Sequence, residues 1–522
     1  MSATNRQEAM LLLGDAGEAK CEPRTLPPPS NPMATARELI AEQHHENGAL
    51  MLRHWRGSWM QWERGVWAEI EERTVRARAY RQAEHAVYVH ATKDGEELRD
   101  WAPNRHKCTD LLEAMGAVAH LTNTVHPPVW IDGASGPEQI VVCKNGMLDV
   151  ASRELHAHDP RYFTQVSVPF DFDAHASVPG RWLRFLEQLW PDDSDAISAL
   201  QQFMGYVLSG RTDLDKILLL IGPTRAGKGV ITRMLGRLIG TGNVAGPTLA
   251  SLGQNFGLQD LIGKPLAVIS DARLGHADTH QVVERLLAIS GRDMLTVDRK
   301  YRDPWTGQFP TRFVIISNEL PRFGDASGAI ANRFVVLALT ETWLGREDRT
   351  LEPDLADELP GILNWALDGL DRLCERDRFT EPKSSVDAVI ALADLVSPVA
   401  AFVRDRCVRG AGLEVACDQL YSEWKRWAED NGHRPGSTQT FGRDLRAVVP
   451  DLRIHRPREE EGDRRPRRYA GVATKQADLH PDPQWPRPRT NADQPADSGA
   501  GPQWSAVDSI VVPTAATGAE VF

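Results

Sequence analysis

The sequence predicts an α/β protein built around a phosphate-loop core, with a mixed α/β domain before it and a winged helix after it. Three observations carry this expectation. The apolar run "KILLLI" leads straight into the glycine-rich "GPTRAGKG" and then into "VITRMLGRLI", the strand, loop and helix order that aims backbone N–H groups at phosphate. Strand and helix patterns keep alternating over residues 186–381, as they do in a sheet with helical crossovers. Beyond Pro382 two amphipathic stretches, "CDQLYSEWKRWAEDNG" and "STQTFGRDLRAVV", precede two strands around a charged turn in "LRIHRPREEEGDRRPRRYAGVA". That is the order of a winged helix.

A chain of 522 residues has room for about three domains at roughly 100–200 residues each. Its hydrophobic content of 41% and charged content of 25% are those of an ordinary globular protein, and no run approaches the roughly 18 apolar residues of a membrane span. The early "MLLLG" is too short for a signal-peptide core and follows Glu8, where positive charge is wanted. The expectation is a cytoplasmic protein with no membrane partner. Cys21, Cys108, Cys143, Cys374, Cys407 and Cys417 form no CxxC pair, which argues against a zinc ribbon and a disulfide framework. A net charge of −12 argues against wholesale coating of nucleic acid and leaves only local basic patches for phosphate contact.

In chain order, residues 1–34 end in "PRTLPPPSNP" and read as a flexible arm with little to bury. Residues 35–185 read as a mixed α/β domain. Helical periodicity runs through "ARELIAEQHHENGALMLRHW", and "GSWMQWERGVWAEI" reads as a short hairpin. Trp55, Trp59, Trp62 and Trp67 lack interleaved basic residues, so core and cross-strand packing is expected of them rather than base stacking. "IVVCKNGMLDVASRELHAHDP" suggests two strands around an Asn145-Gly146 turn. "RWLRFLEQLW" and "ISALQQFMGYVLSG" are amphipathic helices leading to the loop, with the domain boundary placed near 185. The winged-helix-like domain is set at 382–474, and the Pro-, Asp-, Gln- and Ala-rich remainder from Lys475 to 522 as a disordered tail.

The chemistry centres on the loop. Gly222, Pro223, Thr224, Arg225, Ala226, Gly227, Lys228, Gly229 and Val230 are the expected nucleotide contacts: Gly222 and Gly227 permit the tight path, and Lys228 brings a mobile positive charge to the β and γ phosphates. Forty residues on, "KPLAVISDARL" is a second buried strand whose end carries Ser270 and Asp271, an acid at the carboxyl edge of the sheet. A third strand, "TRFVIISNELPR", ends in Asn318, an amide able to touch phosphate or orient water. Arg333 immediately precedes another apolar strand in "GAIANRFVVL". Between them "GRDMLTVDRKYRDPWTGQFP" gives two extended arms around an expected Pro304 to Gly307 turn, carrying Arg299, Lys300 and Arg302.

"GPTRAGKG", "VISDA", "SGRDMLTVDRKY", "IISNELPR" and "ANRFVVL", in this order and spacing, resemble the superfamily 3 helicase domain of phage and plasmid primase-helicases and of the poxvirus primase-helicase. "NGMLDVASRELHAHDP" and the helices after it are similar to the domain preceding that ATPase, so the resemblance covers roughly residues 40–470. It implies an AAA+-like core, a hexameric ring with ATP and Mg²⁺ between subunits, and translocation on single-stranded DNA. It also implies roles: Lys228 on phosphate, Asp271 as the Walker B acid and metal residue, Asn318 as sensor 1, and Arg333 as a finger acting on the neighbour's ATP. Arg322 is a weaker finger candidate. The basic hairpin would project into the channel, with Tyr301 and Trp305 beside it for stacking, and Arg464, Arg465, Arg467 and Arg468 of the wing would dock duplex. The function implied is a replicative helicase of a phage, satellite or plasmid.

Two positions depart from the family. Gly229 replaces the hydroxyl that normally binds Mg²⁺, and Ser270 stands where many relatives have a first acid. A small-molecule phosphotransferase would account for Gly229 but not for the basic hairpin, the asparagine or the C-terminal domain. An ATP-switched initiator or helicase loader needs the same residues as a motor. Nothing in the roughly 185 residues before the core resembles a primase site with paired metal-binding acids, so priming is expected to fall to a separate primase.

Overall fold

Five apolar runs pair in parallel: Ile217–Ile221 (β1), Val244–Ala245 (β2), Leu266–Ile269 (β3), Arg312–Ser317 (β4) and Phe334–Ala338 (β5). Their order across the sheet is β2-β3-β4-β1-β5. A parallel sheet is covered on both faces, which is why β1 has no polar residue to alternate with its apolar ones. Leu218, Leu220, Leu266, Val314, Val335 and Leu337 pack into a core beneath the helices Gly180–Leu189 (α1), Ser194–Leu208 (α2) and Lys228–Ile239 (α3). Their alternates Ile217, Leu219, Ala267, Ile269, Phe313 and Ile315 face a second core with the helices Thr279–Ser290 and Val386–Val396. The result is a three-layer α/β/α arrangement. This computed structural model describes residues 24–475 except 46, 273–278, 301, 322, 324–327 and 457–466.

The first core also takes in the helix Leu359–Arg376, preceded by Leu351–Asp357; these are α5 and α4. Two glycines let α2 and α5 pack backbone to backbone: a Cβ on Gly369 would lie 2.6 Å from the Gln201 carbonyl carbon, and one on Gly205 would lie 2.8 Å from Leu370 Cβ. Gly369→Ala is therefore expected to lower stability by about 1–3 kcal/mol through overpacking, even though alanine is the better helix former. A lowered urea midpoint with unchanged slope would register it; an unchanged midpoint would mean that the helices separate freely.

The N-terminal region differs in detail from the expectation. Residues 24–34 are not part of an arm: Leu26 is buried, the Trp101 indole donates to Pro27 O at 3.1 Å, and the Asn31 side chain caps the helix Pro32–Ala41. The apolar anchor Leu26 supplies the burial that the prolines around it lack. The helical pattern of residues 36–55 stops at Ala41, and Leu52–Trp55 is a strand. It pairs with Ser58–Glu63, which pairs in turn with Val66–Ile70. This second hairpin turns on Arg64 and Gly65, both at positive φ (51° and 89°), as a two-residue turn requires. Trp55, Trp59 and Trp67 are buried, as core residues should be.

The Asn145-Gly146 turn is displaced by one residue. Cys143 pairs with Gly146, leaving Lys144 and Asn145 as the loop. Gly146 is instead where the strand Leu155–His156 comes close, since a Cβ there would be 2.5 Å from His156 O. Asn145 uses its amide to exchange two hydrogen bonds with the backbone of Phe172, each at 2.9 Å.

Two domain limits move. Residue 185 falls inside α1, and Val141, Cys143, Leu148 and Val150 share the core of α1, α2 and α5, so no boundary cuts there. At the other end, Leu392 and Val396 of Val386–Val396 belong to the second core. The C-terminal subdomain therefore starts near Ser397 rather than 382. It runs helix Pro398–Arg406, strand Cys407–Ala416, helices Cys417–Asp430 and Thr438–Val448, then strands Arg453–His455 and Arg468–Thr474. Phe402, Trp424, Trp427 and Phe441 form its centre. The expected tail lies outside the described residues apart from Lys475. Among the described residues no single helix is long and apolar enough to cross a membrane.

Candidate functional site

The loop between β1 and α3 has its path set by its glycines. Gly222 has φ +151°, and a Cβ on it would collide with the Leu339 carbonyl; Gly227 has φ +90°, and a Cβ on it would lie 2.9 Å from Leu189. Both positions exclude ordinary side chains. The segment after β5 straps the loop from outside: Thr342 Oγ1 donates to Thr224 O at 2.8 Å, Trp343 N donates to Arg225 O at 3.0 Å, and Glu347 lies 3.5 Å from Arg225.

Lys228 opens α3 and is buried. Its ammonium donates to Gly222 O at 2.6 Å, Pro223 O at 2.7 Å and Asn318 Oδ1 at 3.0 Å. Burial holds its pKa below the ordinary lysine value, because desolvation disfavours the charged form. Asn318 follows the end of β4, directly beside β1 in the sheet. Two residues 90 positions apart thus share one hydrogen bond at the carboxyl edge.

Lys228 and Asn318 line a cavity of about 1380 Å³ at that edge. Arg181, Arg184, Arg225, Arg233, Arg237 and Arg346 also border it, which makes it an anion-attracting pocket at a helix N-terminus. Arg225 belongs to the loop motif; the other five come from helix faces and from the strap, and no motif marked them in the sequence.

Ser270, rather than Asp271, borders the cavity, on the same side as Val268. Both follow the end of β3 at Ile269, and Asp271 is exposed to solvent without bordering the cavity. At Gly229 the room that a serine side chain would take is filled: a Cβ there would lie 2.8 Å from Arg233 Nη1. Among the described residues no three His, Cys, Asp or Glu side chains gather to hold a metal. Gly229 thus offers no loop hydroxyl to a Mg²⁺ ion, and Asp271 does not border the cavity.

Arg333 is not brought to the loop of its own chain. It precedes β5, whose first residue Phe334 pairs with Ile217, the first of β1, whereas the loop follows Ile221. The two lie at opposite edges of the sheet, separated by about 13 Å of strand at roughly 3.3 Å per residue. Arg333 is held there by Asp215 at 2.5 Å, with Arg292 3.5 Å from the same carboxylate. Arg322 lies outside the described residues.

The basic hairpin forms from Leu295–Arg299 and Arg302–Gly307, with Arg299 opposite Arg302. Its turn therefore follows Arg299, and Pro304 to Gly307 lie within the second strand. That register puts Arg299, Lys300 and Arg302 at the tip. Trp305 is no stacking surface: it is buried against Phe309, ring centroids 4.9 Å apart. Tyr301 lies outside the described residues. Arg56, from the turn between the first two strands of the N-terminal region, reaches the same place, 5.7 Å over the Trp305 ring. Burial and the nearby Arg299 lower its pKa. In the C-terminal subdomain Arg467 is exposed and Arg468 opens the last strand, while Arg464 and Arg465 lie outside the described residues.

Three family models match the chain in sequence: "D5 N terminal like" over residues 38–191, a "Family of unknown function" over 220–333, and "Poxvirus D5 protein-like" over 397–473. The two D5 matches, one at either end of the described chain, support kinship with the D5 family. Solved structures similar to this chain include the apo NrS-1 C-terminal region, at 12% identity, 85% of this chain, 99% of that one and a TM-score of 0.49. An A-form apo structure of the same region gives 11%, 85%, 100% and 0.46.

Proposed function

We propose that this D5-like chain is an ATP-driven replicative DNA helicase of a phage, satellite or plasmid, working as a hexameric ring on single-stranded DNA. The observation that carries the reading is the Lys228 to Asn318 hydrogen bond at the carboxyl edge of a parallel sheet ordered β2-β3-β4-β1-β5. That order, with the loop after β1, an acid after β3, an amide after β4 and an arginine before β5, supports an AAA+-like ATPase core. The helix, strand, helix, helix, strand and strand order from Pro398 to Thr474 supports a winged helix.

ATP phosphates enter the loop by displacing the Gly222 and Pro223 carbonyls from the Lys228 ammonium, while the N–H groups at the start of α3 take the remaining oxygens. Asn318 then orients the water that attacks the γ phosphate. Asp271, just after β3, supplies the acid of this edge. Arg333, fixed at the far edge, reaches only a neighbouring subunit's phosphate. It stabilises charge on the transferring group there, so hydrolysis waits on ring assembly.

The hairpin tip grips the single strand and the wing, with Arg467 and Arg468, docks duplex. The triple variant R299A/K300A/R302A is expected to keep DNA-free ATP hydrolysis and lose most of its stimulation by single strands. Its log affinity for single strands should also fall less steeply with log salt, by about 0.7 per lost phosphate contact. Strand displacement by the triple variant at the wild-type rate would remove the motor reading and leave an ATP-switched loader.

A further inference from the structure

We propose that Arg233 is a phosphate-binding residue of this site, standing in the place of the loop hydroxyl that the chain lacks. The inference rests on the nucleotide site proposed above and adds to it the ligand set on the metal side. α3 begins at Lys228, so Gly229 and Arg233, four residues apart, share one face of its first turns. The guanidinium folds back over Gly229, where a Cβ would meet Nη1 at 2.8 Å and Cζ at 3.5 Å. It borders the same cavity as Lys228 and Asn318. Glycine at 229 and arginine at 233 thus form one arrangement: the absent side chain is what admits the cation.

Arg233 is held by Glu352 of α4, with Nε donating at 2.8 Å and Nη2 also bonded to the same oxygen. Arg237, one turn further, shares that carboxylate, its Nη2 3.8 Å away. Two cations on one anion leave a net positive charge facing the cavity. A triphosphate is a better partner than one carboxylate, since a guanidinium bonds phosphate oxygens in pairs. Glu352 keeps the fork aimed at the cavity mouth until a nucleotide takes it. Part of the charge that a hydroxyl-bound metal neutralises elsewhere is supplied here by a fixed side chain.

The test is binding of a fluorescent non-hydrolysable ATP analogue to the full chain, in excess Mg²⁺ and in excess chelator, with thermal melts to confirm folding. The wild type is expected to bind in chelator within about threefold of its affinity in Mg²⁺. R233M should lose about tenfold or more in chelator, the worth of one charge-assisted hydrogen bond, and less in Mg²⁺. R233K, which keeps the charge without the fork, should recover part of that loss; a merely structural role would not distinguish the two replacements. In G229S/R233A the hydroxyl returns to vacated space, and binding should become dependent on Mg²⁺. R233M binding like the wild type in chelator, while K228A binds poorly in both conditions, overturns this inference and leaves the site standing. K228A binding like the wild type in both conditions overturns the site itself.

Discussion

Lys228→Ala is expected to abolish ATP hydrolysis, by at least about a hundredfold. The ammonium is a buried side-chain cation of the loop, and removing a fixed charge from a developing phosphoryl charge typically costs two to three orders of magnitude. All three of its N–H groups are satisfied by Gly222, Pro223 and Asn318, so the protein itself holds it in place. The alanine variant leaves two carbonyls and an amide facing the cavity with nothing to soften them, and these repel phosphate oxygens. Folding should change little, because the cavity can hydrate the vacated groups. Steady-state phosphate release and a thermal melt on the same sample separate the two effects. Turnover equal to wild type would remove the loop from the mechanism altogether.

Arg333→Ala should be as inactive as Lys228→Ala, and a mixture of the two should regain activity. Within one chain the loop and Arg333 sit at opposite edges of the sheet, and Asp215 fastens Arg333 at its own edge. The head-to-tail ring proposed above would bring those edges together between neighbours. In an equal random mixture, roughly a quarter of the interfaces pair an intact loop with an intact finger. Recovery of about that fraction of wild-type hydrolysis is the expected result. If the mixture stays inactive while labelled subunits demonstrably exchange, Arg333 has no role across the interface. On this proposal the Asp215 pair adds a condition on assembly, because the finger would exchange a carboxylate for a phosphate as the ring closes.

Much of the fold was legible because it depends on neighbours in sequence. The apolar run of β1, the glycines of the loop, the amphipathic α1 and α2 and the Arg64-Gly65 turn each state a local backbone preference that no distant contact overrides. The C-terminal helices and the strands after them were read for the same reason. The strand Cys407–Ala416 was missed, since a run with two glycines and half of its positions exposed has little strand signal until its partner Arg468–Thr474 is in place.

The sequence by itself determined that a glycine-rich loop joins a buried strand to a helix, with Lys228 at its end, followed in order by an acid, an amide and an arginine. Only the tertiary structure decided which of these meet. Parallel register puts Asn318 on Lys228 and sends Arg333 to the far edge, and the path of the chain after β3 leaves Ser270 at the cavity and Asp271 outside it. Packing buries Trp305, which composition alone offered as a stacking surface, and helical geometry lays Arg233 over Gly229. The physical reason is common to all of them. Side-chain neighbours across a sheet or between helices are fixed by hydrogen-bond register and by the volume that packing leaves, and neither quantity is written in the spacing of a motif.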